Sequence, residues 1–143
     1  MIFIILYRQN DIKRDKMSIF SNIFGSSENE KASDDKTKWI PLTFIEQLDE
    51  IVAISHQKPV VIFKHSTRCS ISRFALKQFE REFDFEADSY FLDLLEHRDI
   101  SNEIAARFNV FHQSPQLLLI KEGKSIYDVS HDSIDAAALK SKI

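Results

Sequence analysis

The run Val60-Val61-Ile62-Phe63-Lys64-His65, released by Pro59, most constrains what this chain can fold into. β-Branched and aromatic residues without strict alternation make a buried strand, covered on both faces. Four positions after His65 comes Cys69, and then a helical pattern in which Ile71, Phe74, Ala75 and Phe79 fall on one face. The thiol therefore sits at a strand-to-helix turn. Unpaired backbone N–H groups and the helix dipole gather there and stabilise negative charge. Such a place favours the thiolate, the reactive form of cysteine. A lone cysteine can equally be an inert core residue, and spacing alone does not choose between the two.

The same alternation extends along the chain. Trp39-Ile40-Pro41-Leu42 reads as a short edge strand or anchor, its proline confined to an edge. Thr43 to Glu46 reads as a capping box, followed by a helix carrying Phe44, Leu48, Ile51 and Val52 to about Ser55. After the cysteine helix, Ser89 to Leu95 is strand-like. Asp99 or Ser101 caps a helix with Ile104, Ala105 and Phe108. Gln116 to Ile120 is another buried strand, and Gly123 turns it into the alternating strand Ser125 to Val129. Ser133 caps a last helix with Ile134, Ala137, Ala138 and Leu139. The order β-α-β-α-β-α-β-β-α implies an α/β fold. Its central sheet is mainly parallel, with an antiparallel C-terminal hairpin and helices on both faces.

The 143 residues suffice for one domain with a sizeable core, and 12 phenylalanines supply material for it. Two glycines leave no room for a glycine-rich phosphate loop. A formal charge of −3 without a basic block argues against nucleic acid as a partner. One cysteine excludes an internal disulfide and a multi-cysteine zinc site, and it fits a reducing, cytoplasmic setting. His56, His65, His97, His112 and His131 lack metal-ligand spacing and read as solvated or incidental, so no metal is expected.

Residues 1–37 read as a flexible tail and linker ahead of a folded domain over 38–143. Met1 to Leu6 is too short for a membrane span and has its charges on the wrong side for a signal peptide. Met17-Ser18-Ile19-Phe20 offers a second start, which would make residues 1–16 a mis-assigned beginning. Ser18 to Phe24 could form a short amphipathic turn, and 25–38 is polar linker.

With a cysteine after the second strand and Ser114-Pro115 before the hairpin, the chain resembles the thioredoxin fold. In that fold a cis-proline loop faces the reactive cysteine across the substrate groove, and here 115 − 69 = 46 positions separate the two. Within that superfamily it is similar to the YtxJ-type monothiol bacilliredoxins. The matching residues are Trp39-Ile40-Pro41-Leu42, Lys64-His65-Ser66-Thr67 and Cys69-Ser70-Ile71-Ser72. Two positions depart from that family's pattern: Arg68 stands in place of a threonine and Ser70 in place of a proline.

The resemblance implies a monothiol exchanger whose nucleophile is Cys69. Ser72 replaces the second cysteine of a dithiol enzyme, so only monothiol exchange is open. Ser72 and Arg68 would support the thiolate, although each also fits as an ordinary helix-start or solvated side chain. Thr67, Ser114 and Pro115 would border the substrate groove. No bound cofactor is implied. Bacillithiol or a similar small thiol would be the co-substrate, S-thiolated proteins the partners, and the chain a monomer. Two rival readings are a non-catalytic thioredoxin-like interaction module and an iron–sulfur carrier of the monothiol glutaredoxin kind. The second lacks the Gly-Phe centre of that class's motif.

Overall fold

The computed structural model describes residues 37–143; the expectations for residues 1–36 lie outside the described residues. Strands and helices follow in the expected order: β1 (Trp39–Pro41), α1 (Gln47–Ser55), β2 (Val60–His65), α2 (Ser70–Glu82), β3 (Asp88–Asp93), α3 (Arg98–Arg107), β4 (Gln116–Lys121) and β5 (Lys124–Ser130). A 3-10 turn at His131–Ser133 then leads into α4 (Ala136–Lys140). The strands form one open sheet in the order β1-β3-β2-β4-β5. β1, β3 and β2 are parallel, whereas β4 runs antiparallel to β2 and β5 antiparallel to β4. Antiparallel pairing thus begins one strand before the hairpin.

β2 occupies the centre of the sheet and all six of its residues are buried. Side chains alternate across a strand, so β2 feeds two cores. Val60 and Ile62 pack with Leu48 and Ile51 of α1 and with Ile100 and Ile104 of α3. Val61 and Phe63 pack with Ala75 and Phe79 of α2 and with Ala136 and Leu139 of α4. Each such side chain gains roughly 1.5–3 kcal/mol from burial. A one-residue slip would exchange the two faces, so burial on both sides fixes the register. That register sends Lys64 toward the α1/α3 side and His65 toward α2.

Several local expectations are corrected. The start of α1 is not secured by a Thr43–Glu46 capping box. Gln47 Oε1 instead accepts the N–H groups of Thr43 (2.8 Å) and Phe44 (2.9 Å). Phe44 consequently precedes the helix and is exposed. On α2 the buried stripe is Ser72, Ala75 and Phe79, while Ile71 and Phe74 are exposed. At about 100° per residue, Phe74 lies about 200° around the helix from Ser72, away from the sheet. Neither Asp99 nor Ser101 caps α3, which starts at Arg98 and carries Ser101 buried within it. The cap of α4 is Asp135, whose carboxylate accepts the Ala138 N–H at 2.9 Å, and not Ser133.

The hairpin turn conforms to expectation: Gly123 adopts φ +74°, and Glu122 beside it φ +52°. Ser55 anchors this turn to the end of α1, its carbonyl accepting from Glu122 N–H and its hydroxyl from Gly123 N–H, both at 2.8 Å.

Candidate active site

Cys69 is the N-cap residue of α2, with extended backbone (φ −100°, ψ 120°) and a half-buried side chain. The turn that presents it closes on itself, because Cys69 N–H donates to the Ser66 carbonyl at 3.1 Å. The helix begins at once, with Arg73 N–H donating to the Cys69 carbonyl at 3.1 Å. The first-turn N–H groups of α2 therefore have no partner within the helix and face the region of the thiol. Cys69 makes no side-chain hydrogen bond to them, and what they offer a sulfur anion is the positive end of the helix dipole. Thr67 and Arg68 are exposed in the turn.

The second wall comes from the start of β4. Lys64 near the end of β2 pairs with Gln116 at the beginning of β4, so the turn 66–69 and the segment 111–115 leave the same end of the sheet. The Ser114–Pro115 peptide bond is cis, as the resemblance implied. Pro115 is buried, and its carbonyl accepts from His131 N–H at 3.1 Å. Among the described residues, the buried hydroxyl of Ser114 has no hydrogen-bond partner.

Ser72 is fully buried on the α2 side of the sheet. Its oxygen accepts the Ser66 N–H at 3.0 Å and lies 2.7 Å from His65 Nδ1. The hydroxyl thus engages the strand end and the turn. Burial is the main cause that lowers the His65 pKa below its ordinary 6.5; Asp93 opposes the shift and Arg73 adds to it. The imidazole is neutral near pH 7.

On the opposite face Lys64 is fully buried, and its partners are uncharged. Its ammonium donates to His112 Nδ1 at 2.9 Å and to Gln116 Oε1 at 3.2 Å. An ammonium offers only donors, so Nδ1 of His112 must be the acceptor. Desolvation lowers the Lys64 pKa to about 8, and His112 is lowered by burial and by the charges of Lys64 and Arg98. Gln116 also accepts the Gln113 N–H at 3.4 Å and donates to the Phe111 carbonyl at 2.9 Å. It thereby stitches the segment before the cis proline to the sheet. Ser101 of α3 completes the cluster, 3.1 Å from His112 Nδ1.

All six expected site residues lie in the two segments at this end of the sheet or in the first turn of α2. Four further residues were missed: Lys64 and His65 as site-supporting groups, together with His112 and Gln116. Reading the histidines as solvated or incidental is corrected for His65, which is buried, and for His112, which binds Lys64. The signal was present. A Lys-His pair inside a strand buried on both faces needs polar partners somewhere in the fold.

An open mixed sheet flanked by helices, with a thiol at a helix start and a cis proline at the same end of the sheet, defines a thioredoxin-fold redox protein. Solved structures agree. A candidate oxidoreductase with a thioredoxin fold is 32% identical at a TM-score of 0.64, over 71% of this chain and 90% of its own. Thioredoxin from Malassezia sympodialis is 20% identical at 0.59, over 76% and 90%, and supports the fold alone. Thioredoxin from Schistosoma mansoni is 25% identical at 0.56, over 74% and 93%. The family described as monothiol bacilliredoxin BrxC matches residues 40–139, and the chain belongs to that family. A redox thiol function follows. No helix among the described residues is long and apolar enough to cross a membrane.

Proposed function

We propose that this protein removes bacillithiol, or a closely similar small thiol, from mixed disulfides on other proteins. The observation that carries this reading is the single thiol at the start of α2, with a buried serine at the position where a dithiol enzyme keeps its resolving cysteine. The Cys69 thiolate attacks the small-thiol sulfur of the mixed disulfide. A new disulfide forms between Cys69 and the small thiol, and the target protein leaves as a thiolate that takes a proton. A second small thiol, as thiolate, then attacks the adduct, releasing Cys69 and a symmetric small-molecule disulfide. In net terms one mixed disulfide and one free small thiol become one protein thiol and one symmetric small-molecule disulfide, so no resident cofactor is needed.

Thr67 and Arg68 border the approach to the sulfur, with Arg68 offering charge to an anionic thiol. The backbone at Ser114 makes no hydrogen bond among the described residues, which suits strand-like pairing with a substrate segment. The chain works as a monomer on S-thiolated proteins in a reducing, cytoplasmic setting.

The test is intact-mass spectrometry after brief incubation with a bacillithiolated model protein. One small-thiol adduct is expected on the wild-type chain and none on Cys69→Ala. If the wild type acquires no adduct while its thiol stays unmodified, exchange is refuted and a binding module replaces it.

A further inference from the structure

His65 is almost wholly buried at the end of β2, its ring 5.3 Å from that of Phe91 and 6.4 Å from that of Phe63. Its Nδ1 lies 2.7 Å from Ser72 Oγ. Ser72 shares its helix stripe with Ala75 and Phe79, and the charged groups that act on His65 are Asp93, its register partner on β3, and Arg73 of α2. A core needs no imidazole–hydroxyl pair there, since two apolar residues of the same shape would be nearly neutral for stability. The pair's remaining bond leaves the core in one direction. Ser72 Oγ accepts the Ser66 N–H at 3.0 Å, and the Ser66 carbonyl in turn accepts the Cys69 N–H at 3.1 Å.

We infer that His65 is a positioning residue for Cys69, holding the Ser66–Cys69 turn against the start of α2 through the hydroxyl of Ser72. The inference rests on the reading of Cys69 as the reacting thiol. The serine oxygen takes the Ser66 N–H on one side and is held by the imidazole on the other, so its direction is fixed. With the turn held, the thiol stays at the start of α2. Without Ser72 the Ser66 N–H loses its acceptor, and without His65 the hydroxyl that accepts it is free to rotate, so in either case the turn can swing away from the helix axis. Serine at this position thus does more than fill the place of a second cysteine. It ties the thiol's loop to the strand that carries it.

The test uses the full chain, whose single cysteine makes thiol alkylation unambiguous. Alkylation by iodoacetamide is followed from about pH 5 to about pH 10 for wild type, His65→Phe, Ser72→Ala and the double variant. Each single variant is expected to react about tenfold more slowly at pH 7, with its pH–rate profile displaced from that of wild type. The double variant should match the slower single one, because the bonds act as one unit. Unchanged profiles in folded single variants, or two effects that simply add, would reduce His65 to a core residue. If His65→Phe fails to fold by circular dichroism, Ser72→Ala alone decides: a moved profile sustains the inference and an unmoved one overturns it. Alkylation needs no disulfide substrate. A failure of small-thiol transfer therefore leaves this result standing, and the reverse also holds.

Discussion

Lys64 and His65 are neighbours in the chain, yet each belongs to a different buried polar cluster, on opposite faces of one strand. On the α2 side, His65, Ser72 and Ser66 satisfy one another without formal charge near pH 7. Facing α3, an ammonium sits among a histidine, a glutamine and a serine, with no carboxylate bonded to it among the described residues. The two clusters secure the two walls of the site by different means. The neutral one holds the thiol turn at little desolvation cost. The charged one holds the segment before the cis proline and carries an energetic penalty at physiological pH, because a buried ammonium is poorly solvated.

The sharpest way to break this comparison is to remove the residue on which the second cluster converges. Gln116→Leu leaves the Phe111 carbonyl, the Gln113 N–H and one Lys64 donor without their partner. One buried charged donor and two part-buried backbone groups stranded together cost about 3 kcal/mol. Urea unfolding at pH 7 should show that loss. A loss below about 1 kcal/mol would mean that the segment 111–115 is held by its apolar contacts alone.

The charge itself gives the next effect, and its sign follows from linkage. Lys64 titrates near 8 in the folded chain and near 10.5 when unfolded, so the folded state binds fewer protons between those values. Stability from this group is therefore lowest below about pH 8 and rises as pH climbs toward about 10.5, in total by about 3 kcal/mol. Other residues titrate in the same range, so the quantity to measure is wild type minus Lys64→Met. That difference should grow with pH across this window. At pH 7 the methionine variant should be at least as stable as wild type, because His112 keeps Ser101 and Gln116 keeps Gln113. A pH-independent difference would show that the amine is effectively solvated through His112, which is itself exposed.

The same contrast explains what could and could not be read from the sequence. Strand and helix order was legible because burial on one or two faces writes its period directly into the chain, as in Val60 to His65. The place of Cys69 at a helix start followed from a periodicity change, and the cis bond at Ser114–Pro115 came from family resemblance. Helix capping was less legible, since Gln47 can reach back to two N–H groups only once the chain has bent at Pro41 to Phe44. The polar clusters were hidden for a related reason. His65 meets Ser72 seven positions away and Lys64 meets Gln116 across 52, contacts that exist only after the sheet is assembled. The outer face of α2 misled because Ile71 and Phe74 share the apolar character of Ala75 and Phe79 but not their direction.

The smallest effect separates a hydroxyl that belongs to a network from one that does not. Ser72 and Ser114 both carry buried oxygens beside the site, but Ser114 Oγ has no partner among the described residues. An unsatisfied buried hydroxyl contributes nothing favourable to the fold, so Ser114→Ala should leave stability unchanged or raise it by up to about 1 kcal/mol. Ser72→Ala, which strands both His65 Nδ1 and Ser66 N–H, should cost about 1–2 kcal/mol. Thermal unfolding of the two variants side by side checks the ordering. If Ser114→Ala proved the more destabilising, its hydroxyl must be bonded in solution, through an ordered water. The two walls would then resemble each other more closely than their bonding indicates.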